Sequence, residues 1–174
     1  MFAGGARAHQ MYRFGHWGVS LLVFAPLGFA LVQAGRPELA FAAGAAMCWL
    51  AMLPDYDMRV PGISHRGPTH TVLFAALVGG VGGGGAYLLA SNAGQPETVA
   101  TTLGAFGFAV GALTVLAHLL ADVLTPAGIR PLWPLSSRKF TLSLWTADNT
   151  VANYGLFAVG VFAVAASAYL SVAL

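Results

Sequence analysis

The stretch TVATTLGAFGFAVGALTVLAHLLADVLT, residues 98 to 125, is apolar along almost its whole length. An α-helix needs about 20 such residues to cross the hydrocarbon core of a membrane, so the stretch is predicted to be a transmembrane helix. It nevertheless carries two ionisable residues, His118 and Asp122. Charge in hydrocarbon costs at least about 2.5 kcal/mol per group, so these two side chains must have a partner inside the protein.

The whole chain has the composition of an integral membrane protein. Of its 174 residues, 57% are hydrophobic and 8% are charged, and the mean hydropathy is +0.73. Soluble proteins carry about 25% charged residues. The length suits one membrane-embedded domain over residues 1–174, with the lipid bilayer as its partner. Membrane topology explains the scattered basic residues, so no nucleic-acid binding is predicted. The single Cys48 excludes a disulfide within the chain.

Five apolar segments are predicted to form an all-α bundle of transmembrane helices. They run from about His16 to Ala34, Glu38 to Leu53, His70 to Ser91, Thr98 to Thr125 and Asn149 to Leu174. Pro54 is predicted to end the second helix, because proline cannot continue a helix from that point. Asp148, Asn149 and Thr150 offer oxygens that can cap the start of the fifth. A cleaved signal peptide is the alternative for the first segment, which is longer than the usual apolar core of such a peptide.

The glycine run GGVGGGG, residues 79 to 85, lies within the third predicted helix. No Lys-Ser or Lys-Thr pair follows it, so a phosphate-binding loop is not indicated. Two pairs of glycines four residues apart, Gly79/Gly83 and Gly80/Gly84, predict close packing against neighbouring helices.

Five crossings place most of the polar residues on the membrane face that carries the N-terminus, which we call side A. Side A receives His9, His16, Asp55, Asp57, His65, Arg66, His70, His118, Asp122 and Asp148. The opposite face keeps Arg36, Glu38 and Glu97. Seven of the eight basic residues lie on side A, so the positive-inside rule predicts a cytoplasmic N-terminus in an inner or plasma membrane. Residues distant in sequence therefore form one polar site at one membrane face.

His118 and Asp122 are four residues apart, so they project from one face of a helix and suit two ligands of one metal ion. An internal His–Asp hydrogen bond is the simpler alternative. For Asp55 and Asp57 the alternative is a solvated turn that merely follows a helix. Together, His and Asp side chains from several helix ends form a mixed nitrogen and oxygen ligand set for Zn²⁺, Mn²⁺ or a similar divalent ion. Such an ion supports hydrolysis without a serine or cysteine nucleophile.

Four segments also resemble a known family, the YdjM-type (LexA-regulated) membrane-bound metal-dependent hydrolases. They are GHWGVSLLVFAPLGF, LPDYD, HRGPTHT and AHLLADVLTPAGIRPLWPLS, which occur in this order over the chain up to about Ser137. The resemblance implies a helical membrane protein with hydrolase activity. It also implies that the shared polar positions are His16, Asp55, Asp57, His65, Arg66, His70, His118 and Asp122.

We therefore expect a metal-dependent hydrolase that acts on a phosphoester or related bond of a lipid or amphiphilic substrate. The expected metal ligands are Asp55, Asp57, His70, His118 and Asp122. His16 and His65 are expected to ligate the metal or act as acid and base, and Arg66 to bind an anionic group. Two alternatives stay open: a transporter or ion-handling protein with a polar relay at mid-membrane, and a scaffold with a structural metal.

Overall fold

The computed structural model describes residues 11–62 and 64–173 of the chain. In these ranges the protein is helical and has no β-strand, which confirms the all-α prediction. The helices are α1 (Arg13–Gln33), α2 (Pro37–Leu50), α3 (Val72–Asn92), α4 (Glu97–Val123) and α5 (Thr150–Ala173). Two short 3₁₀ helices, Pro54–Arg59 and Pro68–His70, lie between α2 and α3.

Within the described ranges, five helical segments are long and apolar enough to cross a membrane, as the sequence predicted. They are Arg13–Gln33, Pro37–Arg59, Val72–Asn92, Glu97–Val123 and Thr150–Ala173. Helices α3 and α4 pack along each other, and α5 packs along α1. The helices alternate in direction, so α1, α3 and α5 begin at side A and α2 and α4 end there. His9 and Arg7, which the sequence analysis also assigned to side A, lie outside the described residues.

The connections on the opposite face are short turns that depend on glycine. Gly35 follows α1 with a φ of +71°, and Gly94 follows α3 with a φ of +73°. This left-handed conformation lets the chain reverse directly after a helix, and glycine adopts it without steric cost. Backbone N–H groups at both turns donate to the last carbonyls of the helix, such as Gly35 N to Val32 O at 2.9 Å.

Glycines bring α3 and α4 close together. A Cβ atom on Gly79 would lie 2.9 Å from the backbone oxygen of Phe108, and one on Gly83 would lie 2.8 Å from that of Gly104. The predicted packing role therefore holds for this pair. It does not hold within the described chain for Gly80 and Gly84, where an added Cβ would meet nothing within 4 Å.

The chain at side A departs from the predicted helix ends in two places. Helix α2 ends at Leu50, before the predicted Leu53, and Pro54 begins a 3₁₀ helix instead of stopping α2. His70 lies in the short 3₁₀ helix before α3 and not in α3 itself. Helix α3 begins after Thr71, whose hydroxyl oxygen accepts a hydrogen bond from Phe74 N at 3.1 Å. As a result, Asp55, Asp57 and His70 lie on short 3₁₀ helices at side A and not on the membrane-spanning α-helices α2 and α3.

The loop between α4 and α5 folds back over the end of α4. Ile129 and Phe140 exchange backbone hydrogen bonds of 3.0 and 2.8 Å. Leu142 N also donates to Val123 O at 2.7 Å. The loop thus covers the polar end of α4 from the aqueous side.

Asn149 caps α5, since its Oδ1 accepts from Ala152 N at 2.9 Å, as the sequence predicted for this position.

Candidate metal centre

Six polar side chains from four parts of the chain meet inside the bundle at side A. The start of α1 contributes His16, the two 3₁₀ helices contribute Asp55, Asp57 and His70, and the end of α4 contributes His118 and Asp122. All six are buried, and the most exposed of them, Asp55, shows 5% of its surface. Burying so many ionisable groups is costly unless each finds a partner. Each of the six side chains is therefore expected to have a bonding partner, either in the protein or in a bound ligand.

Asp55, His70, His118 and Asp122 form the centre of this group. Each offers one ligand atom, and the four atoms lie within 4.8 Å of one another. His70 Nε2 lies 3.3 Å from one oxygen of each aspartate, and His118 Nε2 lies 3.4 and 3.5 Å from the same two oxygens. The two Nε2 atoms are 3.2 Å apart. Two imidazoles and two carboxylates that face one point make a ligand set suited to a divalent ion such as Zn²⁺ or Mn²⁺.

Hydrogen bonds behind the two histidines orient their rings toward this point. His118 Nδ1 lies 2.7 Å from the carbonyl oxygen of Ala51, which is free to accept because α2 ends just before it. His70 Nδ1 lies 3.0 Å from Thr69 Oγ1, and that hydroxyl donates to Asp57 Oδ2 at 2.8 Å. A proton held on each Nδ1 leaves the Nε2 lone pair for a metal, as in many metal sites.

Three buried atoms of these six side chains lack a hydrogen bond in the described part of the chain. Both ring nitrogens of His16 are buried without one, and so is Asp122 Oδ2. The His16 ring stacks on that of His118, with centroids 3.9 Å apart and planes at 4°. Its Nε2 lies 3.9 Å from Asp55 Oδ2. A buried polar atom without a partner costs about 1–3 kcal/mol, which favours a bound ion over internal His–Asp hydrogen bonds alone.

Asp57 lies behind His70 and forms a second group with His70 and His65. These three also offer ligand atoms within 4.8 Å of one another. Asp57 is nevertheless well supplied with donors, since it accepts from Thr69 Oγ1 and from Arg66 N at 3.2 Å and lies 3.0 Å from His65 Nδ1. Such a carboxylate orients its neighbours. It is buried, so the simple alternative of a solvated turn does not describe Asp57.

Arg66 connects the loop before α3 to the end of α4. Its Nη2 donates to Asp122 Oδ1 at 2.5 Å, and its Nη1 donates to Thr125 Oγ1 at 3.2 Å and to Gly128 O at 3.1 Å. Its backbone has a φ of +60°, a conformation that costs a non-glycine residue about 1 kcal/mol or more. The proposed bond of Arg66 to an anionic substrate stays a prediction. In the structure its terminal nitrogens hold Asp122.

His70 lies outside the membrane-spanning helices, and its carboxylate neighbours shift its protonation. Burial lowers the pKa of His70, but the carboxylates of Asp122 and Asp55, each with an oxygen 3.3 Å from its Nε2, raise it more, so its pKa lies above the usual value. A metal ion at the centre would displace this proton, because a histidine ligand must be neutral.

The residues that support the centre were not predicted from the sequence. Thr69 and Thr125 were not singled out, although Thr69 lies within HRGPTHT, and the backbone carbonyls of Ala51 and Gly128 carry no sequence signal. The residues predicted to form the site are brought together by the structure, apart from His9, which lies outside the described residues. Asp148 is exposed at side A.

A family model described as YdjM inner membrane protein matches residues 11–174, which include all of the buried polar residues described above. No curated protein and no solved structure matches the chain.

Proposed function

The chain belongs to the YdjM inner membrane protein family, and from that premise we propose that its buried His/Asp group is the metal centre of a hydrolase. The proposed reaction is cleavage of a phosphoester or related bond in a lipid or amphiphilic substrate at the membrane surface. We further propose that residues 1–174 act as one membrane-embedded domain, because the centre draws on both halves of the chain.

One observation carries the proposal: the four ligand atoms of Asp55, His70, His118 and Asp122 lie within 4.8 Å of one another. These four residues would hold the ion. A divalent ion there would lower the pKa of a bound water and polarise a phosphoryl oxygen, which is the chemistry of hydrolases that lack a side-chain nucleophile. Nothing of the G-x-S-x-G kind occurs in the sequence to suggest a serine nucleophile.

His65 is proposed to act as the general acid or base in this reaction. Its Nδ1 is held by Asp57 at 3.0 Å, and its Nε2 has no hydrogen bond in the described chain. The side chain is 28% exposed, so a substrate group can approach the ring, although Nε2 itself is buried. An imidazole fixed through one nitrogen and free at the other suits a general acid or base, like the His–Asp pairs of other hydrolases.

The remaining residues are proposed to support the ion. His16 ligates it or accepts a proton beside it, which its two unpartnered ring nitrogens support. Asp57 orients His70 and His65. Arg66 fixes the position and charge of Asp122 through its Nη2 atom. Asp57 lies outside the group of four ligand atoms but belongs to the second group with His65 and His70, so its expected role as a metal ligand stays a prediction.

A transporter with a polar relay across the membrane is less well supported. The buried polar residues of the described chain are His16, Ser20, Asp55, Asp57, His70, Thr71, Thr114, His118, Asp122, Thr125 and Asn153. The deepest of them, Ser20 and Thr114, carry no charge, and Thr114 Oγ1 bonds to Val110 O of its own helix at 2.8 Å. A relay needs ionisable groups further along the bundle, and the described helices have none buried there.

The first test is metal-dependent hydrolysis by the wild-type protein in liposomes. After treatment with a chelator, activity toward a panel of phosphoester and phospholipid substrates is expected to be lost. Adding Zn²⁺ or Mn²⁺ should restore it for at least one substrate. The Asp55→Asn variant should stay inactive, because it loses a ligand oxygen, whereas Asp148→Asn, an exposed acid at the same face, should behave as wild type. A wild-type protein that holds its metal and cleaves nothing would support the scaffold instead.

The second test concerns orientation, for which we propose that side A faces the cytoplasm. Six of the seven basic residues in the described chain lie at side A, and the seventh, Arg36, lies on the other face in an ion pair with Glu38. Cytoplasmic enrichment of Lys and Arg is the general rule for such loops. A topology reporter inserted near Ser137 is expected to be cytoplasmic, and one fused after Leu174 non-cytoplasmic. The reverse labelling would refute this orientation.

A further inference from the structure

A cavity of about 550 Å³ lies beside the metal centre at side A. It opens between the loop before α3 and the loop after α4. Its wall includes the basic side chains of Arg66, Arg130 and Lys139, together with His65 and Trp133. None of the described residues that line it is acidic. A concave, basic surface of this kind concentrates field lines and attracts anions.

The positive charge in this cavity is only partly neutralised. Arg66 is paired with Asp122 through Nη2. Lys139 Nζ donates to the carbonyl oxygen of Pro126 at 2.9 Å, which is a neutral acceptor and leaves the charge in place. The Arg130 side chain has no hydrogen bond or ion pair within the described ranges. Two cations are therefore available to an anion, and arginine in particular can bind two oxygens of a phosphate at once.

Two residues connect the cavity to the metal centre. His65, in the cavity wall, lies 3.0 Å from Asp57 through Nδ1, and Arg66 is bonded to Asp122. A group held by Arg130 and Lys139 would thus share the cavity with the ring of His65, whose Nε2 is buried without a hydrogen bond. Because His65 and Arg66 line the cavity and also contact aspartates of the buried group, an anion bound in the cavity would lie beside the proposed reaction site.

The surroundings of the cavity suit an amphiphile. All of its lining residues lie outside the five membrane-spanning segments, at the ends of the helices. The adjoining loop exposes apolar side chains, among them Trp133, Leu142 and Leu135, the last with 95% of its surface accessible. Basic and apolar side chains side by side are typical of a surface that lies at the lipid headgroups.

We propose that this cavity binds the phosphate group of an anionic ligand and that Arg130 and Lys139 are its phosphate-binding residues. A phospholipid headgroup and a soluble phosphate ester offer the same chemistry. The inference rests on the proposed function only in taking the bound phosphate as part of the substrate. Binding itself requires neither the metal ion nor turnover.

The test measures binding to the full-length protein in phosphatidylcholine nanodiscs, with the metal removed by a chelator. The probes are inorganic phosphate, glycerol 3-phosphate and a short-chain phosphatidic acid. Arg130→Gln and Lys139→Gln are each expected to weaken binding by about tenfold, the effect of losing one charge-assisted contact. Both side chains are exposed, so folding should be preserved. Arg138→Gln removes the same charge from a neighbouring residue outside the cavity and should change binding by less than about twofold.

The outcomes separate the two proposals. Equal binding of glycerol 3-phosphate and phosphatidic acid would identify a soluble phosphate ester as a sufficient ligand, and a strong preference for phosphatidic acid would identify the lipid headgroup. Absence of binding by all three probes, or equal weakening by Arg138→Gln, would overturn the cavity proposal. Binding that follows the expected pattern without any metal-dependent hydrolysis would refute the proposed reaction and leave the anion site standing.

Discussion

Replacing Asp122 by asparagine is expected to weaken binding of a divalent ion by at least about 100-fold, because loss of a residue that merely orients a ligand already costs 10–100-fold. Asp122 Oδ2 lies 3.3 Å from His70 Nε2 and 3.5 Å from His118 Nε2. The substitution keeps the shape of the side chain and removes its charge. Competition between the purified protein and a chelator of known affinity measures the change.

Asp122→Asn also removes the charge partner of Arg66, whose side chain is 10% exposed, and breaking such a largely buried pair destabilises the fold by up to about 3–5 kcal/mol. His118→Gln separates the two effects, since it removes a ligand nitrogen and leaves the Arg66–Asp122 pair intact. It should lower metal affinity by a similar factor. Asp148→Asn, with the same loss of charge at an exposed position, should retain wild-type affinity. Wild-type affinity in both ligand variants would refute the centre.

Replacing His65 by glutamine is expected to lower turnover by about 100-fold or more, the usual contribution of a general acid or base. Metal affinity should change by less, because His65 lies outside the group formed by Asp55, His70, His118 and Asp122. The measurement is the rate of hydrolysis at saturating metal, with metal affinity determined on the same preparation. The pH–rate profile of the variant should also lose one of its limbs.

Arg138→Gln is a control for this experiment too, since Arg138 lies over Phe140 in the loop after α4 and contacts no residue of the centre. It should hydrolyse substrate at the wild-type rate. A His65→Gln variant as active as wild type would remove His65 from the mechanism without affecting the metal centre. Loss of metal together with activity would instead place His65 among the ligands.

The sequence predicted the membrane architecture because hydrophobic length alone determines which segments can cross a bilayer. Once five spans were counted, alternation of direction placed His16, His70 and His118 at one face, and the structure brings their rings together. The spacing of His118 and Asp122 on one helix was sufficient to predict that they share a site. These inferences needed only local patterns and the order of the segments.

Other features depended on contacts between distant residues and could not be predicted in the same way. The end of α2 at Leu50 frees the carbonyl of Ala51 for His118, an interaction across 67 positions of sequence. Arg66 could be assigned to an anion from its chemistry, but whether that anion is a substrate or Asp122 depends on the path of two loops. The basic cavity likewise forms only because the loop with Arg130 and Lys139 folds toward the loop before α3.

The most direct test of the metal centre is an X-ray absorption spectrum of the purified protein after it is loaded with Zn²⁺ and dialysed. We expect retained metal with a first shell of nitrogen and oxygen atoms and the outer-shell scattering of about two or three imidazoles, at Zn–N distances of about 2.0–2.1 Å. Retention of no metal would contradict the centre. So would sulfur in the first shell, because Cys48 is the only thiol in the chain and lines an apolar cavity that contains no histidine among its described residues.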